Sequence, residues 1–290
     1  MVEEESDPVL RRAVAWASGN EHVRALILES SRAAPDAPVD ALSDYDLLLV
    51  VTTIEPLRRD ESWLAWYGAP LVRFRSEWND QGYDGITRLV VYEDGTKVDH
   101  LLMEAALLDR IKQQPRLPNL LDVGYRVLLD KDGLADGLKP ATYRAHIPSK
   151  PTEAEYLAVV EEFWWESTYV AKNIWRDELF AWKYNLECVM KLDVMRRMLE
   201  WHVEIAHDWS VRPGVVGRHL KRRLPPDIWA EVEATFVGAD ADENWEALFR
   251  TGAVFRRVAL EVAAGLGYRY PHKMDAGVVA YWQRLRTMPH

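Results

Sequence analysis

Between Thr152 and Asp208 the chain contains neither glycine nor proline. These two residues are the strongest punctuation of local structure, so a stretch this long without either confines the segment to one or two long helices. Its start is marked by Thr152-Glu153-Ala154-Glu155, a hydroxyl followed three residues later by a carboxylate. That is a capping-box pattern, and an amphipathic run follows it. Further on, Pro213-Gly214, Pro225-Pro226 and Gly238 separate additional helices, and Asn244 to Ala264 predicts another long one. Of the 13 tryptophans, only Trp16, Trp63, Trp66 and Trp78 precede residue 150. The second half therefore reads as all-helical with an aromatic-rich core.

The first half has the opposite texture: short apolar runs broken by turns. Asp7-Pro8 opens a helix to about Ala17, with proline at its first position and Gly19 as its stop. Val23 to Leu28 and Leu47 to Thr52 read as buried strands, separated by a proline- and aspartate-bearing loop from Ala33 to Leu42. Leu71 to Phe74 predicts a short strand. Ile86 to Tyr92 and Thr96 to Leu102 flank Glu93-Asp94-Gly95, a hairpin signal, and Tyr125 to Leu129 predicts a last strand. Lys139-Pro140 and Pro148-Ser149-Lys150-Pro151 punctuate a linker. The fold class is thus α+β: a mixed-sheet domain over residues 1–147, then an all-helical domain over 148–290.

Of the 290 residues, 48% are hydrophobic and 28% charged, which excludes global disorder. A balance of 36 Lys+Arg against 46 Asp+Glu, −10 at pH 7, speaks against a nucleic-acid binder and suits a cationic small molecule. The single cysteine, Cys188, excludes an intramolecular disulfide and a Cys-based zinc site, and its apolar flanks predict a small core residue. The acidic N-terminus has no apolar run and no segment is long and apolar enough to span a bilayer, so the expected location is cytoplasmic.

Asp44 and Asp46 stand two apart at the start of an expected strand, and side chains at i and i+2 of a strand share a face. Two carboxylates aimed at one point suit Mg²⁺ beside a substrate phosphate. Asp99, which interrupts an apolar strand, supplies a third acid if its strand is a neighbour. Upstream, Ser30-Ser31-Arg32 follows a buried strand and offers N–H groups, hydroxyls and a guanidinium fork to a phosphate. The set suits metal-assisted phosphoryl or nucleotidyl transfer, one carboxylate taking the proton of an attacking hydroxyl. An Asp-x-Asp pair is also a frequent loop or capping feature, so the chemistry rests on the company it keeps.

That company resembles the nucleotidyltransferase superfamily and, more closely, the aminoglycoside 6-adenylyltransferases, also called streptomycin adenylyltransferases. The matching stretches include Leu28-Glu29-Ser30-Ser31-Arg32, Asp44-Tyr45-Asp46, Thr96-Lys97-Val98-Asp99, Glu162-Phe163-Trp164, Leu179-Phe180-Ala181, Leu199-Glu200-Trp201 and Tyr268-Arg269-Tyr270-Pro271. The resemblance implies a nucleotidyltransferase fold followed by a helical substrate-binding domain. It implies Mg²⁺-dependent transfer of AMP from ATP to an aminoglycoside hydroxyl, with release of pyrophosphate and antibiotic resistance as the outcome. Asp44, Asp46 and Asp99 would be metal ligands, Asp99 also a general base. Ser30, Ser31, Arg32 and Lys172 would bind the nucleotide. Two departures stand out: the family's glycine is Ser30 here, and Lys183 stands where the family has an acid after Leu-Phe-Ala.

A polycationic acceptor calls for acids beside flat apolar surfaces. Glu162 and Glu166 share a helix face, with Asp177 further along and Trp164, Trp165 and Trp175 nearby. Solvated acids and core tryptophans are the ordinary alternative for each. The expected partners are an aminoglycoside or another small acceptor and ATP, with no nucleic acid or membrane, in a monomer or homodimer. A transferase with a different acceptor, and a catalytically silent nucleotide-binding relative, remain alternative readings.

Overall fold

The computed structural model describes residues 7–35 and 37–289. It divides into two compact units, residues 1–145 and 146–290.

The first unit is built on a six-stranded sheet in the order β3-β4-β5-β2-β1-β6. The strands are β1 (Val23–Glu29), β2 (Tyr45–Val51), β3 (Pro70–Asp80), β4 (Tyr83–Tyr92), β5 (Lys97–Glu104) and β6 (Tyr125–Asp130). β2 and β5 pair in parallel and every other neighbouring pair is antiparallel, giving the expected mixed sheet. β1 and β2 are apolar on both faces because both faces are covered. On one face the helix Pro8–Gly19 seats Leu10, Ala13 and Trp16, and Trp16 stacks on Trp63 at 4.9 Å. On the other, Leu108 and Ile111 of the helix Ala105–Gln113 pack with Ile27, Leu48, Val50 and Met103. The first helix starts where the sequence places it, with the Asp7 carboxylate accepting from the backbone N–H groups of Val9 and Leu10.

β3 differs from expectation. A short strand over Leu71 to Phe74 is an eleven-residue one, turning through Gln81-Gly82 into β4. Its residues alternate apolar and polar as far as Trp78, but Ser76 interrupts the apolar set and most of the side chains are exposed.

The second unit is all-helical. Glu153–Trp175 begins with both arms of the Thr152/Glu155 capping box formed. Next, Leu179–Lys183, Tyr184–Met195 and Arg196–Ala206 run on without a break, the middle segment wound as a π-helix. Ala241–Leu266 and His272–Arg286 complete the bundle around Trp164, Trp182 and Trp282, all fully buried. Phe163 stacks on Phe255 with ring centroids 3.6 Å apart. Gly252 admits the Trp282 ring, since a Cβ there would stand 2.9 Å from it. Cys188 corrects the expectation of a core thiol: it is exposed. The buried positions of the π segment run Leu186, Met190, Val194, and residue 188 falls on the opposite side.

No helix among the described residues is long and apolar enough to cross a membrane.

Candidate active site

One row of the sheet gathers the acids. Asp46 on β2 lies opposite Asp99 on β5 and, on its other side, opposite Glu29 on β1. Residues directly opposite on neighbouring strands project from the same face, so three carboxylates stand side by side. The row continues through Leu89 of β4 to Phe74 of β3 on one side and to Tyr125 of β6 on the other. Asp44, two residues before Asp46, joins it just ahead of the strand. Lys97, two residues before Asp99, joins it from β5.

Lys97 spans the gap between the acids. Its Nζ donates to Asp44 Oδ2 at 2.5 Å and to Asp99 Oδ2 at 3.2 Å. Burial works against its charge, but the contacts with Asp44 and Asp99 prevail and hold it above its ordinary value. The remaining acids are not neutralised. Burial, reinforced by the Asp99 and Asp44 carboxylates, pushes Asp46 up to about 6, against the pull of Lys97 and a side-chain hydrogen bond from Ser30. Burial also raises Asp99, whose Oδ1 is buried without a partner among the described residues. Glu29 is the most enclosed: 2% exposed, Oε1 unpartnered, and raised well above the carboxylate range by burial and by Asp46 and Asp80.

The Ser30–Arg32 turn is held beside this row. Ser30 takes φ +60°, the left-handed conformation that glycine adopts without cost, and its N–H donates to Gly124 O at 3.1 Å. A serine thus holds a conformation that glycine would take without strain. Ser31 sits half-buried in the same turn. Arg32 uses its fork on the backbone: Nη2 donates to Ser43 O at 2.8 Å and Nε to Asp44 O at 3.0 Å. Its guanidinium also lies 3.8 Å over the Tyr45 ring. It pins the segment that presents Asp44 rather than pointing free toward a phosphate.

The carboxylate oxygens of Asp44, Asp46 and Asp99, with Asp99 Oδ1 buried and unpartnered, are of the donor type that a divalent cation takes. As they stand, no three such side chains among the described residues are drawn into one ligand cluster, because Lys97 occupies the point between Asp44 and Asp99.

The other expected residues belong to the helical unit. Glu162 and Glu166 are one turn apart on Glu153–Trp175, Glu162 lying 3.7 Å from Arg197 and Glu166 accepting from Asn185 at 2.9 Å. Lys172 sits on the same helix with its Nζ 4.3 Å from the Tyr169 ring centroid. Asp177 follows the helix at φ +58°. Trp165 and Tyr169 are exposed and meet edge to face at 6.0 Å, and Phe180 and Tyr184 are exposed on the next helix. Trp164, by contrast, is core. Lys183 donates to Glu187 Oε1 at 3.3 Å and to Val237 O at 2.9 Å.

Sequence reasoning missed Lys97 and Glu29 as site residues. The signals were present: Lys97 shares the Asp99 face by strand alternation, and Glu29 ends an otherwise apolar strand.

Residues 3–285 match the family described as streptomycin adenylyltransferase. The chain belongs to that family. With it the chain joins the nucleotidyltransferase enzymes, and the α+β fold with its helical second half accords with membership. Among curated relatives, an aminoglycoside 6-adenylyltransferase of Bacillus subtilis is 28% identical over 92% of this chain and 92% of its own length. One from Campylobacter jejuni is 28% identical over 88% of this chain and 87% of its own. A crystal structure of an aminoglycoside 6-adenyltransferase from Bacillus subtilis covers 97% of this chain and 98% of that one at 24% identity and a TM-score of 0.48.

Proposed function

We propose that this member of the family transfers AMP from ATP to a hydroxyl of an aminoglycoside, streptomycin first among them, releasing pyrophosphate and so conferring resistance. The reading rests on the acid row: Asp46 and Asp99 directly opposite on parallel strands, Asp44 one step away, and the Ser30 turn alongside.

Asp44, Asp46 and Asp99 are the residues that would hold Mg²⁺, which when bound supplies positive charge to the phosphate oxygens. The chain's own contribution begins with charge. Three crowded carboxylates repel one another, so a cation arriving with the nucleotide relieves a cost already present in the fold. Lys97 holds Asp44 and Asp99 in place and remains available to a triphosphate oxygen. Ser30 and Ser31 offer hydroxyls and N–H groups to the same phosphates. Asp99, with one buried oxygen unpartnered, accepts the proton of the attacking hydroxyl. The new bond joins that hydroxyl oxygen to the α-phosphorus. The bond from the α-phosphorus to the bridging oxygen breaks, and pyrophosphate leaves with the electron pair.

The acceptor reading draws on the helical unit. Exposed Trp165, Tyr169, Phe180 and Tyr184 give flat apolar surface, and Glu162, Glu166 and Asp177 give negative charge for ammonium groups. Lys183 shares the Glu187 carboxylate with Lys191, so it stands as the element of the helical unit that works against a cationic acceptor.

The test is pyrophosphate release from ATP and Mg²⁺ with a panel of aminoglycosides. Release with streptomycin is expected. Release only with another acceptor overturns the substrate, and no release with any acceptor, alongside measurable ATP binding, overturns the transferase reading.

A further inference from the structure

β3 is an edge strand of unusual character. Among the described residues, no strand pairs with its outer side. From Val72 to Asp80 it pairs with β4 without a register shift, the one irregularity lying between Pro70 and Val72. It carries no lysine, the usual means of blunting an edge, and Leu71, Val72 and Phe74 are 67%, 56% and 63% exposed. Nine regular residues whose outer side pairs with no strand among the described residues form a template for another strand.

The side chains say which strand. Along β3 the odd positions read Arg73, Arg75, Glu77, Asn79, and the even ones Val72, Phe74, Ser76, Trp78. One face is therefore charged, with basic residues leading and the acid following, and the other is largely apolar. Such an order is complementary to itself when reversed. We propose that two copies of this chain pair β3 to β3 antiparallel about a two-fold axis at Ser76, joining their sheets edge to edge.

At that register Arg75 of each copy faces Glu77 of the other, and Phe74 faces Trp78. Each cross-strand pair occurs twice, once on either side of the axis. Moving the axis by one residue destroys the match: at position 75 it sets Arg75 against its own copy, and at 77 it sets Glu77 against its own copy. Arg75 keeps donors for this contact. Its Nε and Nη2 are on Glu61, and its Nη1 makes no hydrogen bond to the described residues. Glu77 is equally available, its side chain 80% exposed with only a 3.9 Å approach from Arg58.

The experiment is sedimentation velocity on the full chain over a range of concentrations, with paired charge variants. The wild type is expected to show a monomer–dimer equilibrium. Glu77→Lys alone, and Arg75→Glu alone, should each weaken self-association at least about tenfold, since each places like charges opposite one another twice. Mixing the two variants should restore a dimer, because Arg75 and Lys at 77 in one copy then face Glu77 and Glu at 75 in the other. Arg75→Glu also gives up its contact with Glu61, so a second measurement stands apart from it. In a Cys188→Ser background, Ser76→Cys should form a disulfide-linked dimer on mild oxidation, the two residues being directly opposite. Phe74→Cys in that background should not, since the two copies of position 74 lie roughly 13 Å apart along the strands. A wild type that stays monomeric at all concentrations overturns the proposal. So does a dimer that ignores Glu77→Lys and gives no Ser76→Cys cross-link, which would place the contact on another surface.

Discussion

Two buried clusters, one in each half of the molecule, treat charge in opposite ways. In the helical unit, buried Asp275 receives the Arg256 guanidinium on both oxygens and the Tyr270 hydroxyl at 2.9 Å, and Tyr270 in turn accepts from Trp164 at 3.0 Å. Lys191, whose side chain is fully buried, gives its protons to both oxygens of Glu187 and to Thr235 O at 2.6 Å. Asp275 is matched where it stands, and Lys191, which shares Glu187 with Lys183 and is lowered by burial, is at least fully hydrogen-bonded. In the sheet unit, Glu29, Asp46 and Asp99 are packed side by side, each displaced upward by burial, with one ammonium among them. Matched charge holds a fold together. Crowded like charge costs stability, and under the proposed function a bound cation would complete the balance.

The sharpest way to break this comparison is to neutralise an acid in each half and compare the signs. Asp275→Ala leaves Arg256 and Tyr270 without their acceptor, and should cost about 3 kcal/mol or more, read as a lower midpoint in denaturant. Asp46→Asn should do the reverse to stability, raising it by about 1–2 kcal/mol through relief of repulsion. The same change should cut AMP transfer by more than about a hundredfold. If Asp46→Asn both unfolds the protein and loses transfer, the row is structural and the comparison fails.

Glu29→Gln probes the row without touching Asp44, Asp46 or Asp99. Because the folded protein holds the Glu29 proton well above its ordinary value of 4.5, the native state binds more protons than the unfolded chain over that window. The wild type therefore keeps this share of its stability below pH 4.5 and loses it as pH rises toward the folded value. Glutamine, isosteric with the protonated acid, has no such slope. The variant should match the wild type at low pH and gain on it as pH rises, measured as the difference in thermal midpoint across a pH series. A difference that shrinks with rising pH would show that Glu29 is stabilised as a carboxylate.

What the sequence disclosed follows the same division. The helical half was legible because an unpunctuated stretch has few alternatives, and the Thr152/Glu155 box marked its start. The central strands were legible because β1 and β2 are apolar on both faces. β3 beyond Phe74 was less legible, since Ser76 interrupts the apolar members of its alternation and the strand is largely exposed. In the acid row, spacing gave Asp44 and Asp46 and an interrupted apolar strand gave Asp99, while Glu29, a lone acid ending an apolar strand, takes its place there through register. Arg32 reads from composition as a phosphate fork, and only the fold shows it spent on the carbonyls of Ser43 and Asp44. Pair distances of this kind are set by tertiary contacts that local patterns do not encode.

The smallest effect tests the turn itself. Ser30 holds φ +60°, which costs a non-glycine residue about 1 kcal/mol, and its hydroxyl favours the charged form of nearby Asp46. Ser30→Gly relieves the backbone and gives up the hydroxyl, so stability should change by less than about 1 kcal/mol. Transfer should stay equal or rise, because the turn keeps its shape and gains room beside the phosphates. Calorimetry and the pyrophosphate assay measure the two arms separately. A large fall in transfer with unchanged stability would assign the hydroxyl a specific part in the reaction, and Ser30 would then belong with the acids rather than with the scaffold that presents them.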